Sequence, residues 1–489
     1  MRKLEYSKQT LMGACGALTW MLLSACEPVA VAENQPPEEL TSTQARLEQN
    51  PASGADDEEP VPTGRSWYVS MKGDDNAHGT IDAPLRTIGR ATAMARPGDV
   101  VHVLTGVYAE QLILESRGEG AEPITLRGEG TVRPTLMPST REPGAVIFVR
   151  GRWNLKNLHV DVDGAPMAAV VFLEGADQSR LSHSELRDGR AGAGVIVQSA
   201  RRVRIQDNVI HHFIKDRDDS HGVVVVGPAQ DTVVRRNVIH HNSGDSVQCQ
   251  AGTGPAQQLL VENNEFYDNG ENGVDIKQCY DVTIRNNVMA GFPNPDIRPP
   301  GTSAGEAVLI SRGARNIVIQ GNSISRAGRG ISVLSQVAAP DGIVIDGNTI
   351  DQIRNFPHHN GQGIRIAGGR NVQVVNNIVG ETASWGLMLA ADGNMVPWLT
   401  VRNNRVRGGP QQMLVRLGRD SFRPGFSMTE NRYTRGGALS MDGVQDRFKG
   451  PFAGVRHLFG GENLPLSNET RLELWRRLVG LDEGSELTD

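Results

Sequence analysis

One pattern returns through most of this chain: apolar, any residue, apolar, two further positions, asparagine, any residue, apolar. It reads Val203-Arg-Ile205-Gln-Asp-Asn208-Val-Ile210 and recurs around Asn237, Asn264, Asn287, Asn322, Asn348, Asn377, Asn404 and Asn431. The successive spacings are 29, 27, 23, 35, 26, 29, 27 and 27 residues. Less regular versions surround Asn157 and Ser184. Between the asparagines lie second runs with period-2 alternation, such as Gly222-Val-Val-Val-Val226, Gly273-Val-Asp-Ile-Lys277 and Gly330-Ile-Ser-Val-Leu334. Two or three short strands per repeat, without a helical period, predict a β-solenoid and exclude leucine-rich and helical repeats. Asparagine tolerates left-handed turn geometry and bonds neighbouring main chain, so equivalent asparagines on stacked coils should form a ladder. We assign them to the fold and not to chemistry.

Glycine, at 56 of 489 residues, suits a chain that turns this often. The net charge of -6 argues against a nucleic-acid binder, which needs a basic surface. Apart from the leader, no apolar run approaches the roughly 18–20 residues that span a bilayer. Arg2 and Lys3 precede an apolar stretch from Leu11 to Leu23, the pattern of a secretory signal. Its end, Leu23-Ser-Ala-Cys26, resembles the bacterial lipobox, which implies lipidation of Cys26. The expected organisation is a signal over 1–25, a tether over 26–64, a solenoid over 65–440 and a capping segment over 441–489. The tether is rich in Glu, Pro, Ala and Asp and buries too little apolar surface to order itself. The expectation is a monomer in the cell envelope, anchored by lipid to the outer membrane.

The segments Trp67-Tyr-Val-Ser70, Asp82-Ala-Pro-Leu-Arg-Thr-Ile88, Arg96-Pro-Gly-Asp-Val100 and Gly106-Val-Tyr-Ala-Glu110 resemble the cap and first coil of right-handed parallel β-helix proteins. The wider group is the pectate-lyase-like superfamily. The resemblance, over about 66–440, implies an all-β right-handed parallel β-helix, a fold that hosts lyases, hydrolases, epimerases and binders alike. Ile88 to Ala95 reads as an N-terminal capping helix, since an open solenoid end exposes strand edges. Ser467-Asn468 begins a short C-terminal helix in which Leu472, Trp475, Leu478 and Val479 share a face. Trp475 is read as packing.

Aligning the coils on Gly194, Gly222, Ser246, Gly273, Ala307, Gly330, Gly363 and Gly386 gives surface columns, since stacked strands lie ~4.8 Å apart. Apolar residues such as Val247, Cys249, Val274 and Ile276 face inward. Gln248, Asp275, Ser332 and Arg365 form one outward column, and Gln198, Gln250, Lys277 and Ser311 another. The position before the glycine carries His221, Asp245, Asn272, Glu306 and Arg329. This stripe, flanked by Asp218, Asp219, Glu271 and Arg312, is the candidate groove.

Lys277 followed one coil later by Arg312 is similar to the arrangement in the alginate lyase and chondroitinase B type of β-helix enzyme. That likeness implies Lys277 as base, Arg312 assisting the acid step, and calcium in the site. The calcium-binding glutamates of that type correspond here to Gly270 and Asn272, so the expected metal ligands are Asp245, Glu271 and Asp275. Asn272, Glu306, Arg329, Arg365 and Gln250 are then expected to bind substrate. His221 beside Asp245 reads either as an acid–base pair or as a hydrogen-bonded surface histidine. Asp275 and Lys277 read equally as a surface ion pair worth at most ~1 kcal/mol.

The expected function is calcium-assisted β-elimination of an acidic, uronate-containing polysaccharide; the alternative is a non-catalytic glycan-binding or structural lipoprotein. A glycoside hydrolase is a third reading, with Asp245 and Glu306 two coils and ~9.6 Å apart. Cys249 and Cys279 are expected about 10 Å apart, beyond disulfide reach unless a turn brings Cys279 back. His211-His212 and His240-His241 are expected to stack on an outer face, and His358-His359 to lie in a loop.

Overall fold

A computed structural model describes residues 62–116, 118, 120–357, 360–390, 394–407, 413–418, 425–435, 437–441, 472–473, 475–476 and 481–488. Each repeat forms one coil of three short strands, and the described strands assemble into three parallel sheets of 14, 13 and 14 strands. The first face begins at Ser66–Val69, the second at Val107–Ala109 and the third, the 13-stranded one, at Leu112–Leu114. The expected all-β parallel solenoid is what the chain builds.

Inward side chains stack as columns. On the third face Val225, Cys249, Ile276, Ile310, Val333, Ile366 and Leu389 lie level on successive coils, and all are buried. The glycine that opens many of these strands answers a close approach. A Cβ on Gly273 would sit 2.4 Å from the Ala307 carbonyl oxygen, and one on Gly330 would sit 2.3 Å from that of Gly363.

The asparagine ladder runs from Asn208 to Asn431 at the corner between the first and second faces. Asn237, for example, donates its N–H and Nδ2 to Asn264 Oδ1 at 2.9 and 3.1 Å, and Nδ2 also donates to the Ile205 carbonyl at 2.9 Å. Ser184 and Leu158 occupy the ladder position in the earlier coils, so Asn157 lies one residue off it. The left-handed residue is the one before each ladder position, as at Asp207, Arg236, Asn263 and Asn286. The bend is made there, and the asparagine itself is left free to turn its amide inward.

Both ends are covered. The helix Ile88–Met94 starts at Thr87, whose side chain accepts from the Arg90 N–H, and buries Ile88, Ala91 and Thr92. Glu110 adds two bonds, to the N–H groups of Ile88 and Gly89 at 2.9 and 2.8 Å. At the other end the ladder finishes on the segment 482–485. Asn431 Nδ2 donates to Asp482 Oδ1 at 3.1 Å, while Tyr433 and Trp475 both donate to Asp482 Oδ2 at 2.9 Å. Of the expected C-terminal helix, Leu472, Glu473, Trp475 and Arg476 are described and helical; the rest, with His358 and His359, lies outside the described residues. Trp475 is buried packing. No helix among the described residues is long and apolar enough to cross a membrane.

The cysteine expectation is corrected. Cys249 and Cys279 form a disulfide, with α-carbons 6.3 Å apart. The 10 Å figure assumed that the strand runs straight on past Lys277. Gln278 instead adopts a left-handed conformation (φ 57°), which turns Cys279 inward beside its partner on the preceding coil.

The ladder makes a quantitative demand. Replacing Asn322 by alanine strands the buried N–H of Asn287, which donates to Asn322 Oδ1 at 3.0 Å. Asn322→Ala should lower stability by about 2–4 kcal/mol, and exposed Ser323→Ala by less than about 0.5 kcal/mol, in urea unfolding.

Candidate functional site

The strand pairing brings His221, Asp245, Asn272, Glu306 and Arg329 onto one column of the third face, as the glycine alignment expects. Short turns precede the strands of the two middle coils, and longer loops, 212–220 and 293–305, precede those on either side. Arg298 of the second loop crosses the intervening coils. It donates to Asp219 Oδ1 and to the Ser243 carbonyl, and lies 3.5 Å from Glu271 Oε2. Nothing in the repeat pattern marks Arg298. Its only signal in the sequence is a lone cation within a proline-rich stretch.

Asp245 is fully buried and accepts three hydrogen bonds on its carboxylate. Its Oδ1 accepts from the N–H and Nδ2 of Asn272 at 3.1 and 2.9 Å, and its Oδ2 from Gln248 Nε2 at 3.0 Å. His221 Nδ1 accepts the Asp245 N–H at 2.8 Å and stands 3.2 Å from Oδ2. Held between the main chain and the carboxylate of Asp245, His221 is a buried, oriented imidazole and not a surface one. The Asn272 amide also accepts from the Glu306 N–H at 2.9 Å, which links a third coil to the pair.

Asp275 and Lys277 do pair, Nζ to Oδ2 at 2.7 Å, but not at the surface. Asp275 is only 1% exposed, although it points away from the apolar core. Breaking such a pair leaves an uncompensated buried charge, so the small worth of a surface pair does not apply.

Around this pair four carboxylates, Asp219, Asp245, Glu271 and Asp275, face two fixed cations, Lys277 and Arg298. Burial and the neighbouring Asp245 and Asp219 push Glu271 up to about 9. Burial and Asp245 push Asp275 up to about 7 against the pull of Lys277. Burial also acts to raise Asp245, but His221, Lys277 and Gln248 prevail and hold it below the usual carboxylate range. Burial alone would lower Lys277, yet Asp275 and Asp245 lift it to about 12. With this balance Lys277 holds its proton.

Ligand atoms of His221, Asp245 and Glu271 all lie within 4.8 Å of one another. Glu271 Oε2 and Asp275 Oδ1 are buried without a hydrogen-bond donor. Surplus negative charge with orphaned carboxylate oxygens is a donor set that fits a hard divalent cation.

The remaining expected residues are placed as follows. Arg329 donates to Glu306 Oε1 at 2.6 Å and to Gln362 Oε1 at 2.9 Å, so these two form a buried ion pair further along the column. Gln250 and Arg365 lie half-buried on the outward columns of the same face. Arg312 is turned around the corner by its own left-handed conformation (φ 53°). It lines a separate cavity of about 280 Å³ with Gln278, Tyr280, Arg315 and Arg370, and its expected place beside Lys277 is corrected. Cys26 lies outside the described residues.

The family described as right handed beta helix region matches residues 169–350 and 302–432, together more than half of the chain. A second, described only as a protein of unknown function, matches residues 71–126. The chain is similar to mannuronan C5-epimerase AlgE5 of Azotobacter vinelandii, 31% identical over 155 residues, which are 27% of this chain and 16% of that protein. It is also similar to pectate lyase PEL9 of Emericella nidulans, 24% identical over 225 residues, 44% of this chain and 50% of that protein. It therefore spans at most half the length of either relative. The A-module of the Azotobacter vinelandii mannuronan C-5 epimerase AlgE6 aligns with a TM-score of 0.44 at 17% identity, over 72% of this chain and 89% of that one.

The carboxylates give a pH dependence of definite sign. Asp275 and Glu271 hold protons more tightly in the folded state than in the unfolded chain, so their ionisation favours unfolding. In a chelating buffer, thermal stability should fall as pH rises from about 4.5 through about 9. Lys277, raised to about 12, adds stability that is lost only above that window. Asp275→Asn should flatten the part of the fall that lies below about pH 7, read as melting temperature against pH.

Proposed function

This chain belongs to the right-handed β-helix family, and on that premise we propose that it modifies an acidic polysaccharide by abstracting the C5 proton of a uronate, with β-elimination as the outcome. The observation that carries this reading is the buried cluster in which Lys277 meets Asp275 beside His221, Asp245 and Glu271. A C5 epimerase and a uronate lyase share that first proton removal, and the relatives bear both names. The substrate must present its C5 proton to a base, have its carboxylate charge offset, and have the departing oxygen protonated.

Asp245, Glu271 and Asp275 are the residues proposed to hold calcium, with His221 at their edge. A calcium ion held there would offset the uronate carboxylate charge and make the neighbouring C–H more acidic. The same carboxylates keep Lys277 protonated, so a cation on them would lower its pKa and let it give that proton to solvent before acting as base. His221, held by the Asp245 main chain, is placed to move a proton to the leaving oxygen. Asn272, Glu306, Arg329, Gln250 and Arg365 extend the surface along which a polymer chain would lie. Arg312, with Arg315 and Arg370 in the neighbouring cavity, is proposed to bind a substrate carboxylate and not to serve the acid step. The raised Lys277 specifically favours a second reading, a glycan-binding protein in which the pair is structural.

The test is incubation with pectate, alginate and chondroitin, with calcium or chelator, following unsaturated products and exchange of the C5 proton with deuterated solvent. The lyase reading expects calcium-dependent unsaturated product, and a loss of about 10²–10³-fold in Lys277→Met and His221→Gln. Full activity in Lys277→Met overturns that role for the lysine. Exchange without unsaturated product indicates epimerisation. Retained binding with neither signal identifies the glycan-binding protein.

We propose in addition that Cys26 carries the lipid that tethers this domain to the cell envelope. Cys26→Ala should move the protein from the detergent-soluble membrane fraction to the aqueous one in fractionated cells.

A further inference from the structure

The second face carries a cluster that the proposed reaction does not use. His211 and His240 are level on adjacent coils, with Tyr267 level on the next. Their rings stack, with centroids 4.9 Å apart between the histidines and 4.7 Å between His240 and Tyr267. His212 and His241 form a second, parallel stack at 5.3 Å.

Neighbours along a strand normally point to opposite faces. Here His212 and His241 are left-handed (φ 57° and 54°), and that conformation turns each ring back beside its predecessor. The result is two like pairs of nitrogens, each joined by a hydrogen bond: His211 Nδ1 lies 2.6 Å from His212 Nδ1, and His240 Nδ1 lies 2.8 Å from His241 Nδ1, so a metal on a pair takes the place of the shared proton, which moves to Nε2 or to solvent.

We propose that this four-histidine array binds a late first-row divalent metal ion, Cu²⁺ foremost, through the paired Nδ1 atoms. Imidazole is a preferred ligand for these metals, and metal–nitrogen bonds of about 2.0–2.1 Å at right angles place two nitrogens about 2.9 Å apart. The pair separations nearly match that cis spacing, which is the square-planar geometry of copper(II). His211 Nε2 lies 3.4 Å from Glu185 Oε1, a partner that leaves the Nδ1 lone pair facing the site, as outer-shell carboxylates do for metal-bound histidines.

Burial, and the charge each ring would place on the next, hold His211 and His212 below the usual imidazole range and His240 at about 4. The charged groups facing them are Glu185, Arg187 and Asp188. These three rings are therefore neutral at neutral pH. His212 is exposed, and the other three are partly so, which leaves a path for an ion to enter. The charge of a first ion opposes a second one rung away, ~4.8 Å distant. One tight equivalent is expected.

The full chain is titrated with Cu²⁺ from a weak copper buffer at about pH 7.5, read by calorimetry and by nitrogen splitting in the copper paramagnetic resonance spectrum, with Ca²⁺ alone as the control ion. The proposal expects one tight equivalent with nitrogen ligation. In His212→Asn/His241→Asn the affinity should fall at least ~100-fold, on the scale of lost metal-site ligands. Zn²⁺ is expected to bind more weakly at the same place. His211→Gln/His240→Gln, which keeps bulk under Tyr267, should give the same loss, so a folding defect in one variant does not decide the matter. Unchanged copper affinity in both variants that melt like the parent, or no saturable binding at micromolar copper, overturns the proposal.

Discussion

Each ladder amide accepts from the coil before it and donates to the coil after it, and this fixes how every other side chain in the solenoid lines up. An alternative register would leave buried amides without partners, at about 1–3 kcal/mol for each stranded group. The penalty is paid at every coil from Asn208 to Asn431, so slippage anywhere along the stack is suppressed. Asp482 and Ser485 give the last amide its partners, which ties the closing segment to the same constraint.

A fixed register has an electrostatic consequence. Ionisable residues about one repeat apart are held side by side whether or not their charges agree. On the third face this packs Asp245, Glu271 and Asp275 into a small volume that Arg298 partly roofs. The strain appears as raised carboxyl groups and a firmly protonated Lys277. A fold that wanted only stability would relieve it with apolar side chains, since burying ions seldom stabilises. The arrangement instead suits a site whose missing positive charge arrives with a ligand.

The second face shows the same geometry used with neutral groups. Stacked imidazoles one rung apart tolerate each other only while uncharged, and their lowered proton affinity follows from that proximity. The two clusters occupy different sheets, so each is built from the same coils with separate side chains.

The sequence by itself determined the strand periodicity, the coil-to-coil register and both columns of the third face, because a period-2 pattern anchored on glycine encodes height along the stack. His221, Asp245, Asn272, Glu306 and Arg329 were legible for that reason, as were the capping helix and the asparagine ladder. What the tertiary structure alone decided lies at the corners and in the loops. Left-handed residues steer Cys279 inward, Arg312 away from Lys277 and His212 back toward His211. Arg298 reaches Asp219 across 79 positions. Asp275 is buried although it points outward. Periodicity fixes where a residue stands along the axis, whereas a single backbone rotation at a corner decides which way the chain leaves it, and no repeat pattern records that rotation.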